Sequence, residues 1–433
     1  MSRDHVAPGR RAAYEVLRRV FEHGAWADRA FAAAAERHRL DQRERSQAQR
    51  LAYGAVQRRG TTDHLAGELA GRPVDRLDPP VLAALRLGLF ELLFSDATPA
   101  HAAVDQAVEL AKGGGGERRR AGASLVNAVL RRAAAGDPLA ELDDSTPRGA
   151  ATLHSYPEWL ARMWWSELGP EDACSLMAAL NEPAETALRV NTLRADPAAL
   201  MRELRDAGEA ITSHGPGPLW PPEALAVLGP LTERLRAGID LGQLVPQARG
   251  SQAVVAELDP RPGERILDLC AAPGIKTTAI AARMSDRGEV VAVDRDPGRA
   301  AQLGELCGRL GVTCARVVVA DAAEDDLGGG YDRVLVDPPC SDLGTLASRP
   351  DARWRKSPEL IERLSGLQAK ILDRALHALR PGGTLVYSVC TISRREGADQ
   401  VTSLASRSVQ IRPDRDRTDG FFIARMETTW CLS

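Results

Sequence analysis

The seven cysteines of this 433-residue chain include no Cys-x-x-Cys pair. Neither a zinc ribbon nor a thioredoxin-type motif is therefore written into it. The count is odd, with thiols at 174, 270, 307, 314, 340, 390 and 431, which argues against a disulfide framework and for reduced thiols in a cytoplasmic protein. No apolar run approaches the length of a transmembrane span, and residues 1–5 lead into no secretory core, so neither membrane nor export is expected. A dominant charge sign is missing too: 56 Lys and Arg face 59 Asp and Glu, a net charge of −3. The balance is uneven along the chain. Residues 1–140 hold 22 basic and 17 acidic residues, or +5, which leaves −8 for the remainder. A basic front half hints at an anionic partner, while a solvated helical surface explains the same count equally well. No internal repeat is visible, and the length allows two or three domains.

What is present begins with helices. Segments 11–21, 44–58, 78–94, 102–112 and 121–135 each read as amphipathic. In the third, Asp78 suits an N-cap, Pro79 and Pro80 suit the first turn, and apolar residues 81, 82, 85, 89, 92 and 93 fall on one face. The loop Gly113–Gly116, then Arg118, Arg119 and Arg120, with Arg131 and Arg132, offers a basic edge able to grip phosphates or simply to be solvated. Residues 136–152, polar with Pro and Gly, read as a linker. The boundaries drawn are an all-α domain over 1–140, a linker over 141–155, a small α+β subdomain over 156–245 and an α/β domain over 246–433. In the subdomain a helix runs from Pro157 towards Gly169, a strand over 186–192 and a helix over 197–207. Trp159, Trp164 and Trp165 lie at helical spacing, which suits a core better than base stacking.

From Leu258 the rhythm becomes strand, turn, helix, repeated. Strands over 265–270, 289–294, 315–320, 332–337 and 383–389 predict a doubly wound parallel sheet. Ligands of such sheets lie outside the carboxyl ends of the strands. Here those ends carry Asp268 with Cys270 to Lys276, then Asp294, Asp321, Asp337 to Cys340, and Cys390. The stretch Arg265–Thr278 reads as a buried strand, a Pro273-Gly274 turn and a helix N-terminus, a cradle whose N–H groups face an anionic group. Asp294 suits ribose hydroxyls and Asp321 an adenine amino group, each with a helix N-cap as the ordinary alternative. Gly-x-Gly-x-x-Gly is absent, and Ile275 breaks the Gly-Lys pair of a phosphate loop. An adenosyl ligand without polyphosphate, S-adenosylmethionine, remains. Two thiols near such a donor suit methylation of a pyrimidine at carbon 5, which requires thiolate addition at carbon 6.

Five stretches together resemble the NOL/NSUN/Sun family of RNA 5-methylcytosine methyltransferases. They are Asp268-Leu269-Cys270-Ala271-Ala272-Pro273-Gly274-Ile275-Lys276-Thr277, the run Asp337 to Thr345, Asp351-Ala352-Arg353-Trp354, Tyr387-Ser388-Val389-Cys390-Thr391, and Asp419-Gly420-Phe421-Phe422-Ile423-Ala424-Arg425. The stretch Pro99–Lys112 followed by Leu125–Arg132 resembles the NusB-like RNA-binding domain. The resemblance implies a NusB-like helical domain, an RRM-like subdomain and a Rossmann-like class I methyltransferase domain. It makes Cys390 the nucleophile and Cys340 the group that helps release methylated RNA. Asp337 would contact cofactor and cytosine, with Lys276 positioning the site around it. Cys270, Ala271, Ala272, Pro273, Gly274, Ile275, Lys276, Asp294, Arg299, Asp321 and Asp337 would bind S-adenosylmethionine, with no metal. Its implied substrate is 16S rRNA, at cytosine 967 in standard rRNA numbering, and its implied setting a cytoplasmic monomer. Ile275, Pro338, Asp342 and Val389 stand where the family has Gly, Ala, Gly and Thr, and Gln247-Ala248 where it has Gln-Asp. Two other readings compete. An amino-group methyltransferase would use Asp337-Pro338-Pro339 to hold an exocyclic amine, but would want an aromatic residue where Cys340 stands. A non-catalytic RNA-binding assembly factor would leave both thiols without a task.

Overall fold

The computed structural model describes residues 6–95, 98–113, 117–213 and 220–427, with only the backbone at 117–119. Two compact units are present. One runs through Asn181 and includes Ser348–Arg355; the other comprises Glu182–Ala347 and the chain from Lys356 onward.

The first unit is all helix: α1 (Pro8–His23), α2 (Ala27–Arg37), α3 (Gln42–Gln57), α4 (Arg59–Ala70), α5 (Pro79–Phe94), α6 (Ala100–Lys112), α7 (Glu117–Ala135), α8 (Pro147–His154), α9 (Glu158–Leu168) and α10 (Pro170–Ala179). The expected one-sided helix over 78–94 is corrected. Helix α5 is buried on every side from Ala83 to Glu91, because α1, α3, α4, α6 and α7 all pack around it. Its polar residues survive there by pairing, Arg86 with Asp63 at 2.6 Å and Glu91 with Arg10 at 2.8 Å. Asp78 occupies the N-cap position without a side-chain cap bond.

The linker expected over 141–155 is corrected as well. Thr146 accepts from Gly149 N–H at 3.0 Å, Pro147 takes the first turn, and the resulting α8 buries Ala150 and Ala151. Trp164 is fully buried edge-on against Tyr156, ring centroids 5.5 Å apart, as a core residue. Of the basic edge, Gly114–Gly116 and the side chains of Arg118 and Arg119 lie outside the described residues. Arg120, Arg131 and Arg132 are exposed, and Arg132 donates to the Leu69 carbonyl at 2.8 Å.

In the second unit a four-stranded antiparallel sheet comes first, with β1 (Thr186–Val190), β2 (Ile211–Thr212), β3 (Ala224–Val227) and β4 (Leu244–Pro246) in the order β2-β3-β1-β4. Helices α11 (Pro197–Asp206) and α12 (Glu233–Asp240) close its core through Leu200, Leu204 and Leu235. Then follow α13 (Arg249–Leu258), β5 (Arg265–Leu269), α14 (Ile275–Arg283), β6 (Glu289–Asp294), α15 (Pro297–Leu310), β7 (Ala315–Val319), β8 (Tyr331–Val336), α16 (Pro358–Ala378), β9 (Leu379–Val389), β10 (Arg407–Ile411) and β11 (Phe421–Glu427). Their sheet runs β10-β11-β9-β8-β5-β6-β7. The five expected strands are parallel, but β11 adds antiparallel to β9 and β10 antiparallel to β11, so the sheet is mixed rather than wholly parallel. After β5 the chain winds outward through β6 and β7, then returns to the other side of β5 with β8. That reversal is the switch point at which open α/β sheets leave a crevice. No described helix is long and apolar enough to cross a membrane.

Ala248 occupies the N-cap of α13 and makes no side-chain cap bond, while Gln247 beside it is buried against Arg189 at 2.7 Å. An aspartate at 248 supplies the missing acceptor and a negative charge at the helix N-terminus. Ala248→Asp is expected to stabilise the second unit by about 1 kcal/mol, read as a rise in thermal midpoint.

Candidate active site

Each expected group stands at or just beyond the carboxyl end of a strand. Cys270 follows β5, Asp294 ends β6, Asp321 comes two residues after β7, Asp337 follows β8 and Cys390 follows β9. Two sub-sites result.

The first is a cleft lined by Cys270, Asp294, Arg299, Asp321, Pro339 and Leu367 among others. Asp294 is buried, its Oδ2 accepting from Ala272 N–H and its Oδ1 from Asp296 N–H, both at 3.1 Å. The helix cap before Pro297 is instead Asp296, which accepts from Arg299 N–H at 2.8 Å. Asp294 is thus free of capping and keeps a second lone pair on each oxygen for a diol. Arg299 Nη2 reaches the Ala272 carbonyl at 2.5 Å and lies 3.7 Å from Asp294. Asp321 Oδ1 accepts from Ala323 N–H at 2.9 Å in a turn, with no helix following. Carboxylates together with Pro339, Leu367 and Ile371 in one cleft suit an adenosyl group, whose hydroxyl and amino donors would meet the acids and whose flat ring would meet the apolar side chains.

The turn below the cleft is built tightly. Cys270 and Gly274 have φ of +58° and +100°, and a Cβ on Gly274 would meet Leu303 at 2.8 Å. Ala271 and Ala272 pack with Leu303 and Cys307, so their side chains serve the core while their backbone forms the cradle. Ile275, whose presence the sequence left unexplained, packs beside Val245, Leu306 and Leu310, an apolar contact between α14, β4 and α15. Asp268 is buried beneath the turn, one oxygen bonded by Thr277 at 2.6 Å and the other without a protein partner. Burial pushes its carboxyl up to about 7, the Thr277 bond working against that shift and the Asp337 charge adding to it. Burial likewise pushes the Cys270 thiol up to about 12, reinforced by Asp337 and Asp294, which leaves it inert.

The second sub-site joins the loops after β8 and β9. Cys340 and Cys390 sulfurs lie 3.3 Å apart, and the Cys390 thiol donates to Asp342 Oδ1 at 3.2 Å. Asp342 Oδ2 in turn pairs with Lys356 at 3.3 Å. Asp337 is gripped from two sides, by Lys276 at 2.7 Å and by the Ser388 hydroxyl at 2.9 Å. Burial opposes the charge on Lys276, yet Asp337 outweighs it and the ammonium is held above its ordinary pKa. The Cys390 thiol is raised well above the usual range by its bond with Cys340, then by burial and the charges of Asp342 and Asp337. At rest it is a thiol.

Sequence reading missed what locks these loops together. Glu396 is buried and accepts from Ser341 N–H at 2.8 Å, from the Ser341 hydroxyl, from Thr391 at 3.3 Å and from Gln368 at 3.1 Å. One carboxylate therefore ties the residue after Cys340 to the residue after Cys390. Burial raises its pKa against those bonds. No periodicity marks Glu396 or Gln368; their partners are brought together only by the sheet. Gly344 N–H also donates to the Cys390 carbonyl at 3.0 Å, and Gly420 N–H donates to the Gly344 carbonyl at 2.8 Å. A Cβ on Gly344 would come within 2.1 Å of Gly420 oxygen, so only glycine fits. Val389 is buried in the central core of the sheet.

The stretch Asp351 to Trp354 belongs to the first unit. Arg353 is buried there, donating to Asn181 at 2.8 Å and to the carbonyls of Ser155 and Leu180, its guanidinium 4.1 Å from the Tyr156 ring centroid. Trp354 donates to the Val56 carbonyl at 2.9 Å.

Comparison with known proteins covers nearly the whole chain. A family model for the 16S rRNA methyltransferase RsmB/F matches residues 255–409, one for the NusB family residues 8–135, and one for an RsmF/B-like ferredoxin-like domain residues 156–227. A probable ribosomal RNA small subunit methyltransferase B from Synechocystis is 31% identical, covering 96% of this chain and 99% of its own length. The ribosomal RNA small subunit methyltransferase B of Vibrio vulnificus is 32% identical, covering 96% and 98%. The crystal structure of PH0851 shares the fold over 98% of this chain and 99% of its own, with a TM-score of 0.78 at 25% identity. That of NSun6 from Pyrococcus horikoshii with SFG covers 64% of this chain and all of its own, with a TM-score of 0.57 at 24% identity. The chain belongs to the RsmB/F family of S-adenosylmethionine-dependent 16S rRNA methyltransferases.

Proposed function

We propose that this chain methylates carbon 5 of one cytosine in 16S rRNA, in the cytoplasm, through a covalent bond between Cys390 sulfur and carbon 6 of the base. The observation that carries the reading is the pair of thiols 3.3 Å apart at adjacent strand ends, beside a carboxylate held by Lys276 and Ser388. Asp294, Arg299 and Asp321 along the cleft would hold S-adenosylmethionine, which would supply an electrophilic methyl group. Attack of Cys390 sulfur on carbon 6 turns the ring into an enamine that is nucleophilic at carbon 5. Asp337, fixed on both oxygens, faces the N3 side of the ring and steadies the developing charge there. After methyl transfer the carbon 5 proton must leave before the Cys390 bond can break, and Cys340, whose sulfur lies 3.3 Å from that of Cys390, assists that release. An amino-group methyltransferase has no use for either thiol. The target, cytosine 967 by family resemblance, is checked by bisulfite sequencing of 16S rRNA from cells with and without the protein. One protected cytosine is expected to become convertible when the protein is lost; an unchanged pattern sinks the reading.

A further inference from the structure

We propose that Asp342 is the general base for Cys390, taking the thiol proton as the bond from sulfur to carbon 6 forms. The inference rests on the adduct reading above and names an acceptor for the thiol proton that is particular to this chain, at a position where the family has glycine. Three observations support it. The Cys390 thiol donates its hydrogen to Asp342 Oδ1 at 3.2 Å. The second oxygen, Oδ2, is anchored by Lys356 at 3.3 Å, which leaves Oδ1 aimed at the thiols, with Cys340 sulfur 3.7 Å away. Asp342 also keeps a φ of +57°, a conformation that side chains rarely adopt, so the carboxylate is held at a backbone position better suited to glycine.

The charges around the sulfur explain why a base is needed. Asp337 and Asp342 disfavour a thiolate, Lys276 favours one, and Cys340 bonds to the protonated form. With the thiol raised well above its usual range, a pre-formed thiolate is scarce near neutral pH. Proton removal must then accompany attack, which is the role of a positioned acceptor within hydrogen-bond reach. The sulfur lone pair forms the bond to carbon 6, the double-bond pair moves to carbon 5, and the thiol proton passes to Asp342 Oδ1. When the adduct collapses, the sulfur takes its electron pair back and recovers that proton from Asp342. No oxidant or further reactant is required.

The opposing account makes Asp342 merely a like charge that suppresses the thiolate. The two accounts predict opposite signs. The test measures the rate at which full-length protein forms a covalent complex with a 16S rRNA transcript and S-adenosylmethionine, in a Cys340→Ser background that retards release. Adding Asp342→Asn is expected to slow complex formation roughly 10²–10⁴-fold at neutral pH, with the rate recovering as pH rises and thiolate forms unaided. Asp342→Gly, which also relieves the positive φ, is expected to give the same loss, so a folding defect cannot mimic the result. An unchanged or faster rate in either double variant overturns the role of Asp342 while leaving the adduct reading intact. If Cys340→Ser alone forms no complex, the adduct reading falls and this inference with it.

Discussion

Cys390→Ala is expected to abolish methylation of 16S rRNA, a loss of roughly 10⁴–10⁶-fold, the scale seen when a covalent nucleophile is removed. No neighbouring group can substitute. Cys270 is buried and pushed up to about 12, and Cys340 lies 3.3 Å from Cys390 but leads from a different loop. The companion variant separates nucleophile from release group. Cys340→Ser keeps Cys390 and should accumulate a covalent RNA complex that survives denaturing electrophoresis, whereas Cys390→Ala forms none. Full methylation by Cys390→Ala removes the covalent mechanism; a complex trapped by Cys390→Ala instead reverses the two roles.

Arg353→Ala is expected to destabilise the helical unit by about 3–5 kcal/mol, with no direct effect on the thiols. The guanidinium is fully buried and pays for its desolvation by three hydrogen bonds and a ring contact with Tyr156. Burial lowers its pKa, offset by Tyr156, so the charged form is under strain but retained. Truncation takes this donor from the Ser155 carbonyl and from Asn181 Oδ1, and opens a cavity where the side chain lay. Lysine cannot restore the planar fork, so Arg353→Lys recovers only a minor part. The measurement is thermal unfolding followed by amide exchange, with lost protection expected in α8 to α10. Unchanged protection there shows that the stretch carries no structural load.

The sites of chemistry were more legible than the scaffold. Strand ends could be read because parallel strands are apolar runs closed by polar residues, and the thiols and acids sit at those closures. Helix α5 was misread as one-sided because Arg86 and Glu91 look solvent-facing until Asp63 and Arg10 arrive from other helices. Strands β10 and β11 escaped because Arg407 to Ile411 has few apolar residues and the edge they form is defined by pairing, which sequence does not display. Asp342 stood out only as an unusual residue at its position; its meaning came from Lys356, 14 residues later, and from Cys390, 48 residues later. Glu396 was invisible for the same reason.

The contact between Gly344 and Gly420 fixes the order in which the enzyme can mature during synthesis. The loop that carries Cys340 leaves the ribosome well before Gly420, yet its backbone bond to Cys390 is backed by the Gly420 N–H and by Phe421 of β11 beside it. Until that last strand has emerged and paired with β9, the two sulfurs lack the frame that sets them side by side. The frame around the two sulfurs is therefore completed only by the last strand of the described chain.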